Sequence, residues 1–195
     1  MSKKLGTLSI KNREFQVTDA TLSGKIRRSG PVEWFLEVVT EKKEVGGEFW
    51  SPAAYIEQYP SEARSMEDFI ASPIIIKSGA EFCGYTLSPG CRLCCLHVFE
   101  DTYLDRNHIQ FERSRGNRLK MIWSAKCAVH RNKEYGSNLD LRIETLVNFL
   151  GFSLDAEVKE EASTLLANKF EPKGLSFHIE PGREGSYFLP VQGKW

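Results

Sequence analysis

A single β-rich α+β domain, mainly antiparallel, is the fold class this sequence predicts: a sandwich or partly closed barrel with one helix from the C-terminal half packed on the sheet. Three observations point to it. Apolar and polar residues alternate with period two along most of the chain, and turn-forming residues break those runs at short intervals. A convincing helical stripe occurs once, after Asp155. With 195 residues the chain can bury about two-thirds of its unfolded surface. One domain over residues 1–195, carrying an insertion of loop and short helix at about 41–73, therefore needs no metal or disulfide to hold it.

The alternation begins at Phe15 and Val17, and Ala20, Leu22, Gly24 and Ile26 then share one face of a run whose other face is polar. "RRSGP" turns the chain into Val32 to Thr40, which makes a hairpin. From Glu41 the pattern changes. Ser51 with Pro52 reads as the start of a short helix, and Ser61 as the cap of a second that carries Ala63, Met66, Phe69 and Ile70 and stops at Pro73. Strands resume at Phe82 to Leu87, Leu93 to Phe99, His108 to Ser114 and Arg118 to Val129. The last two are joined by "RSRGNR", whose Gly and Asn tolerate positive φ. Leu139 to Leu150 fits a strand running into a helical turn, because both periods are present. Asp155 caps the predicted helix of Ala156 to Lys169, and a last hairpin is predicted from Leu175 to Ile179 and Tyr187 to Val191, about ten strands in all.

Charge narrows the function classes. Twenty-six basic residues balance twenty-six acidic ones, so the general attraction to nucleic acid or anionic lipid that a basic chain exerts is missing. The basic hairpin tips, Lys25, Arg27 and Arg28 in one and Arg113, Arg115, Arg118 and Lys120 in the other, are better read as solvated turns than as a nucleic-acid surface. The N-terminus has no apolar core of a secretory signal, and no apolar run approaches the ~20 residues of a membrane span. A cytoplasmic location is expected, with the five cysteines as reduced thiols.

"PGCRLCCLHVFED" concentrates the reactive side chains. Cys91 and Cys94 have zinc-knuckle spacing and His97 follows closely, which nominates Cys91, Cys94 and His97 as metal ligands. The sequence supplies no second ligand pair, so a strand with cysteine as a small hydrophobe competes with that reading. Phosphate-binding glycine patterns and hydrolase or metalloprotease motifs are not found, and no cofactor is expected.

The segment from Glu41 to Asp68 has seven acids against three bases and is rich in aromatic residues. Trp50, Tyr55, Glu57, Tyr59, Glu62 and Glu67 are its candidate partner-binding residues, since Trp and Tyr anchor interfaces and acids suit a basic protein partner. The same aromatics could instead roof an open end of the core. The expected function is a non-enzymatic intracellular protein that binds a protein partner, of adaptor or toxin-immunity type. The alternative is a hydrolase or zinc-dependent enzyme using Cys91 to Asp105.

Overall fold

The computed structural model describes residues 4–79, 93–130, 135–156, 158–178 and 186–191. Along the chain run β1 (Gly6–Ile10), β2 (Arg13–Ile26), β3 (Val32–Thr40), β4 (Lys43–Val45), β5 (Glu48–Trp50), β6 (Ala53–Ser61), α1 (Met66–Ala71) and β7 (Ile74–Ser78). There follow β8 (Cys94–His97), β9 (Asp101–Tyr103), β10 (Asp105–Arg113), β11 (Arg118–Val129), β12 (Gly136–Leu154), α2 (Lys159–Lys169), β13 (Leu175–His178) and β14 (Ser186–Pro190). All strands except β4 and β5 join one 12-stranded sheet, ordered β7-β10-β11-β12-β1-β2-β3-β6-β8-β9, with β14 beside β12 and β13 beside β14. The sheet is long and not closed. Its ends nevertheless approach, because Thr102 in β9 donates its hydroxyl to the Ala128 carbonyl in β11 at 3.1 Å.

The period-two pattern lays out one buried face. Phe15, Val17, Ala20, Leu22 and Ile26 of β2 lie in it with Val32, Trp34, Leu36 and Val38 of β3, and Leu119, Met121, Trp123, Ala125, Cys127 and Val129 of β11 complete it on the other side. The backbone of the sheet is β12, with 19 residues. Its first half pairs with β11 on one side and with the short β1 on the other. Where β1 ends, β12 bends at Gly151 and runs parallel to β2, placing Phe152 opposite Gly24. A Cβ on Gly24 would stand 2.3 Å from the Phe152 ring, so only glycine lets the two strands close here.

Two aromatic groups fill the core. Trp34 stacks on Phe69 of α1 with ring centres 4.0 Å apart, and meets Phe152 at 5.3 Å and Phe170 at 6.0 Å. Trp50 packs against Tyr135 at 4.8 Å and Phe99 at 5.5 Å. Among the described residues, no helix is long and apolar enough to cross a membrane.

Several local expectations change. The helix foreseen from Pro52 is instead β6, a full member of the sheet, and Lys43 to Trp50 forms a small hairpin turning at Gly46 and Gly47. Tertiary pairing with β3 and β8 overrides the capping signal there. The second short helix exists but begins later, Ser65 accepting the Asp68 N–H at 3.0 Å as its cap. No helical turn follows Ile143: the whole of β12 is strand, with Leu150 left 50% exposed. The long helix starts after Val158 rather than Asp155, whose carboxylate faces Lys25 at 3.7 Å. The strand expected at Phe82 to Leu87 lies outside the described residues.

Candidate functional site

The six candidate partner-binding residues do not share one surface. Trp50 is wholly buried, its indole on the core side of β5, so it belongs to the roof of the core and cannot touch a partner. Tyr55 and Glu57 lie on the outer face of β6. There Tyr55 is flanked in register by Glu37 of β3 and Cys95 of β8, and Cys95 in turn by Tyr103 of β9. Burial pushes the Tyr55 hydroxyl above the usual tyrosine range, and the charges of Glu37, Cys95, Asp101 and Glu57 push it further the same way.

Tyr59 would continue that outer row by simple alternation, but a bulge intervenes. Gln58 takes φ 56° and the pairing with β3 slips between Trp34 and Leu36, so Tyr59 comes opposite Trp34 on the core-facing side. The bulge re-aims Tyr59 into a cleft between the end of β6 and α1. That cleft has a volume of about 350 Å³, and its lining includes Tyr59, Glu62, Asp68, Phe69 and Ile74. Two acidic residues therefore share one lining with two aromatic ones. Asp68 is not among the candidates; its place in the first turn of α1 puts it in the same lining as Glu62. Glu67 points elsewhere, its carboxylate bound by Arg113 of β10, which ties α1 to the sheet.

The cysteine-rich stretch resolves differently from a metal centre. Cys91 lies outside the described residues. Cys94 and His97 sit three apart on β8 and so face opposite sides, which prevents them from holding one ion. Cys94 is buried and donates its S–H to Asn107 Oδ1 at 3.2 Å. Burial, with lesser contributions from Cys95 and Asp105, raises its thiol well above the ordinary range, which keeps it protonated and poor as a metal ligand. Among the described residues no three His, Cys, Asp or Glu side chains converge on a metal position.

On the outer side, His97 Nδ1 is 2.8 Å from Asp101 Oδ1, so the imidazole has an orienting carboxylate. Cys95 shares that face but is 5% exposed between Tyr55 and Tyr103. A thiol covered in this way is poorly placed to attack a substrate.

The basic hairpin tips are largely occupied by carboxylates. Arg27 meets Glu33 at 3.1 Å, Arg28 meets Glu161 at 2.7 Å and Lys120 meets Glu112 at 3.4 Å. No family model matches the chain, and neither a curated protein nor a solved structure is similar to it.

Proposed function

We propose that this chain is a non-enzymatic protein-binding module, of adaptor or toxin-immunity type, which receives a basic segment of its partner in the cleft between β6 and α1. The observation that carries this reading is the convergence of Tyr59, Glu62 and Asp68 on one cavity of about 350 Å³. An arginine or lysine entering it would lay its aliphatic stem along Tyr59 and Phe69 and bring its charge to two carboxylates. Charge pairs at such a site set partner choice and association rate. The outer row of Glu37, Tyr55 and Glu57 offers a second acidic and aromatic strip on β3 and β6 for the rest of the segment.

The test is affinity capture from the native extract, followed by binding measurements on the purified partner. Wild-type chain is compared with Glu62→Lys, Asp68→Lys and Glu112→Lys as a surface control. The expected result is a basic protein whose affinity falls by about tenfold or more with either cleft reversal, weakens with salt, and ignores the control. Binding that is indifferent to both cleft reversals would overturn the reading.

A further inference from the structure

We propose that the basic segment of the partner binds as an extended strand, added antiparallel to the open edge of β7 with its cationic end in the acidic cleft. This rests on the basic-segment reading of the cleft and specifies how the main chain of that segment is held.

β7 begins the strand order of the main sheet and pairs with β10; among the described residues no strand lies on its other side. The opposite end of that order is tied down, since Thr102 of β9 reaches the Ala128 carbonyl of β11. In an antiparallel ladder alternate residues turn their N–H and C=O groups away from the partner strand, so the outer edge of β7 offers donors and acceptors to a further strand. Across the opening from that edge stands the end of β6. The two strands share no ladder, and most of their Cα atoms are more than 8 Å apart, against the ~4.8 Å between paired strands. The opening is therefore wider than one strand spacing. β7 supplies the ladder rather than β6, because Pro60 has no N–H to give and the bulge at Gln58 breaks the rhythm of β6 there.

Charge decides which segment fits and which way it runs. The cleft opens at the start of β7, where Pro73 and Ile74 share its lining with Tyr59, Glu62 and Asp68. Glu62 and Asp68 are both exposed, and among the described residues neither side chain meets a cation, whereas the neighbouring Glu67 is taken by Arg113. Exposed Lys77 stands toward the other end of β7. Positive charge on the added strand therefore belongs beside Ile74, which in an antiparallel addition is its C-terminal end. Between these charges Ile75, 64% exposed, gives a β-branched side chain of the added strand an apolar neighbour. Past Lys77 the edge leads back toward the acidic strip on β6, since Gly79 packs on the Cys94 carbonyl and Leu93 accepts the Glu57 N–H at 3.0 Å. A segment held in this way takes affinity from its main chain and specificity from its side chains.

The probe is a synthetic peptide of about eight residues, alternating valine and threonine with arginines at its C-terminal end, compared with the same peptide N-methylated at every second residue in either phase. Binding to the full chain is followed by fluorescence anisotropy and by amide hydrogen exchange. The unmodified peptide is expected to bind, to slow exchange at alternate amides of residues 74–77, and to lose affinity about tenfold or more in the methylated form that lacks the donors facing β7. Glu62→Lys should weaken it about tenfold as well; should that variant fail to give a native spectrum, Glu62→Gln replaces it with a smaller loss in the same direction. An unmodified peptide that does not bind, or binding that neither methylation weakens, overturns strand addition. Where such binding still depends on Glu62, the cleft reading survives without the strand. Binding lost on methylation but indifferent to Glu62 supports strand addition and removes the acidic reading instead. A chain that self-associates in sedimentation, with the same amides protected, assigns the edge to a second copy and overturns the proposal.

Discussion

Asn107 shows what one buried polar side chain does in this core. It is 1% exposed, yet its amide group is fully used. Oδ1 accepts from Trp123 Nε1 at 3.0 Å and from Cys94, while Nδ2 donates to the carbonyls of Leu104 at 2.6 Å and Ile76 at 3.3 Å. It therefore joins β7, β8, β10 and β11. Asn107→Ala leaves the Trp123 N–H without its acceptor, and a loss of about 2–4 kcal/mol is expected in urea unfolding. Asn107→Asp keeps the acceptor but sets a carboxylate against two carbonyls. Its folded-state pKa is then raised, so this variant should be closest to wild-type stability in acid and lose ground as the pH rises. Cys127 obeys the same rule naturally. Burial first, and the nearby Asp140 second, push its thiol up to about 12, with Lys126 opposing. The folded state holds that proton more tightly than the unfolded chain, so the stability it contributes is complete below about pH 9 and is lost as the pH rises toward 12. In that window the slope is at most about 1.4 kcal/mol per pH unit. Cys127→Val should flatten the decline measured as urea midpoint against pH; an unchanged slope would show that other groups cause it.

Gly24 is where two elements decide each other's sequence. It pairs with Trp34 of β3 on one side and with Phe152 of β12 on the other, and the Phe152 ring occupies the space a Cβ would need. Phe152 cannot easily yield, because Phe149, Phe170 and Trp34 surround it with ring centres 4.7–5.4 Å away. Gly24→Ala is expected to lower stability by about 1–3 kcal/mol through overpacking, read as a shift in thermal or urea midpoint. An unchanged midpoint would mean that the two strands can separate there at little cost. The alternation around Gly24 was legible in the sequence, as were the hairpin of β10 and β11 and the single long helix, since each follows from local period and turn chemistry. Strands set by partners distant in sequence were not. β1 is five residues long and β7 is three isoleucines followed by Lys77 and Ser78, and neither gives a period before its neighbours are known. The candidate site was half legible for the same reason. Tyr59 and Glu62 could be nominated by residue type, but the bulge at Gln58 that parts Tyr59 from Tyr55 follows from register with β3. Trp50 reads equally as contact or as roof of the core, because an aromatic residue in an acidic segment looks the same in sequence whether it faces solvent or core; the fold buries it.

At the scale of the molecule, β12 is the strand on which everything else depends. β11 lies along one side of it, β1 and then β2 along the other, and β14 joins its final turn of sheet. Without it the strands of the main sheet that precede it fall into two groups that share no ladder: β7, β10 and β11 on one side, and β1, β2, β3, β6, β8 and β9 on the other. Each group would expose part of the shared apolar core, including Met121 and Trp123 in the first and Leu8 and Phe15 in the second, all of them fully buried in the whole chain. The effect reaches the acidic cleft although β6 and α1 both precede β12 by more than sixty residues. Phe69, which walls the cleft, rests on Trp34, and Trp34 rests on Phe149 and Phe152 of β12 and on Phe170 beyond α2. A chain ended after Tyr135 should therefore lack a cooperative unfolding transition, bind a hydrophobic dye, and fail to capture a basic partner. Of the strands, a chain ended after Gly174 loses β13 and β14 and keeps all the others. It also loses the Ser186 hydroxyl bond to the Ala156 carbonyl, 2.6 Å long, and should melt at a lower temperature while remaining cooperative and competent to bind. Calorimetry on the two truncations separates the cases: a native-like transition from the shorter chain would show that the residues up to Tyr135 fold alone, and that the cleft does not need β12 to hold its shape.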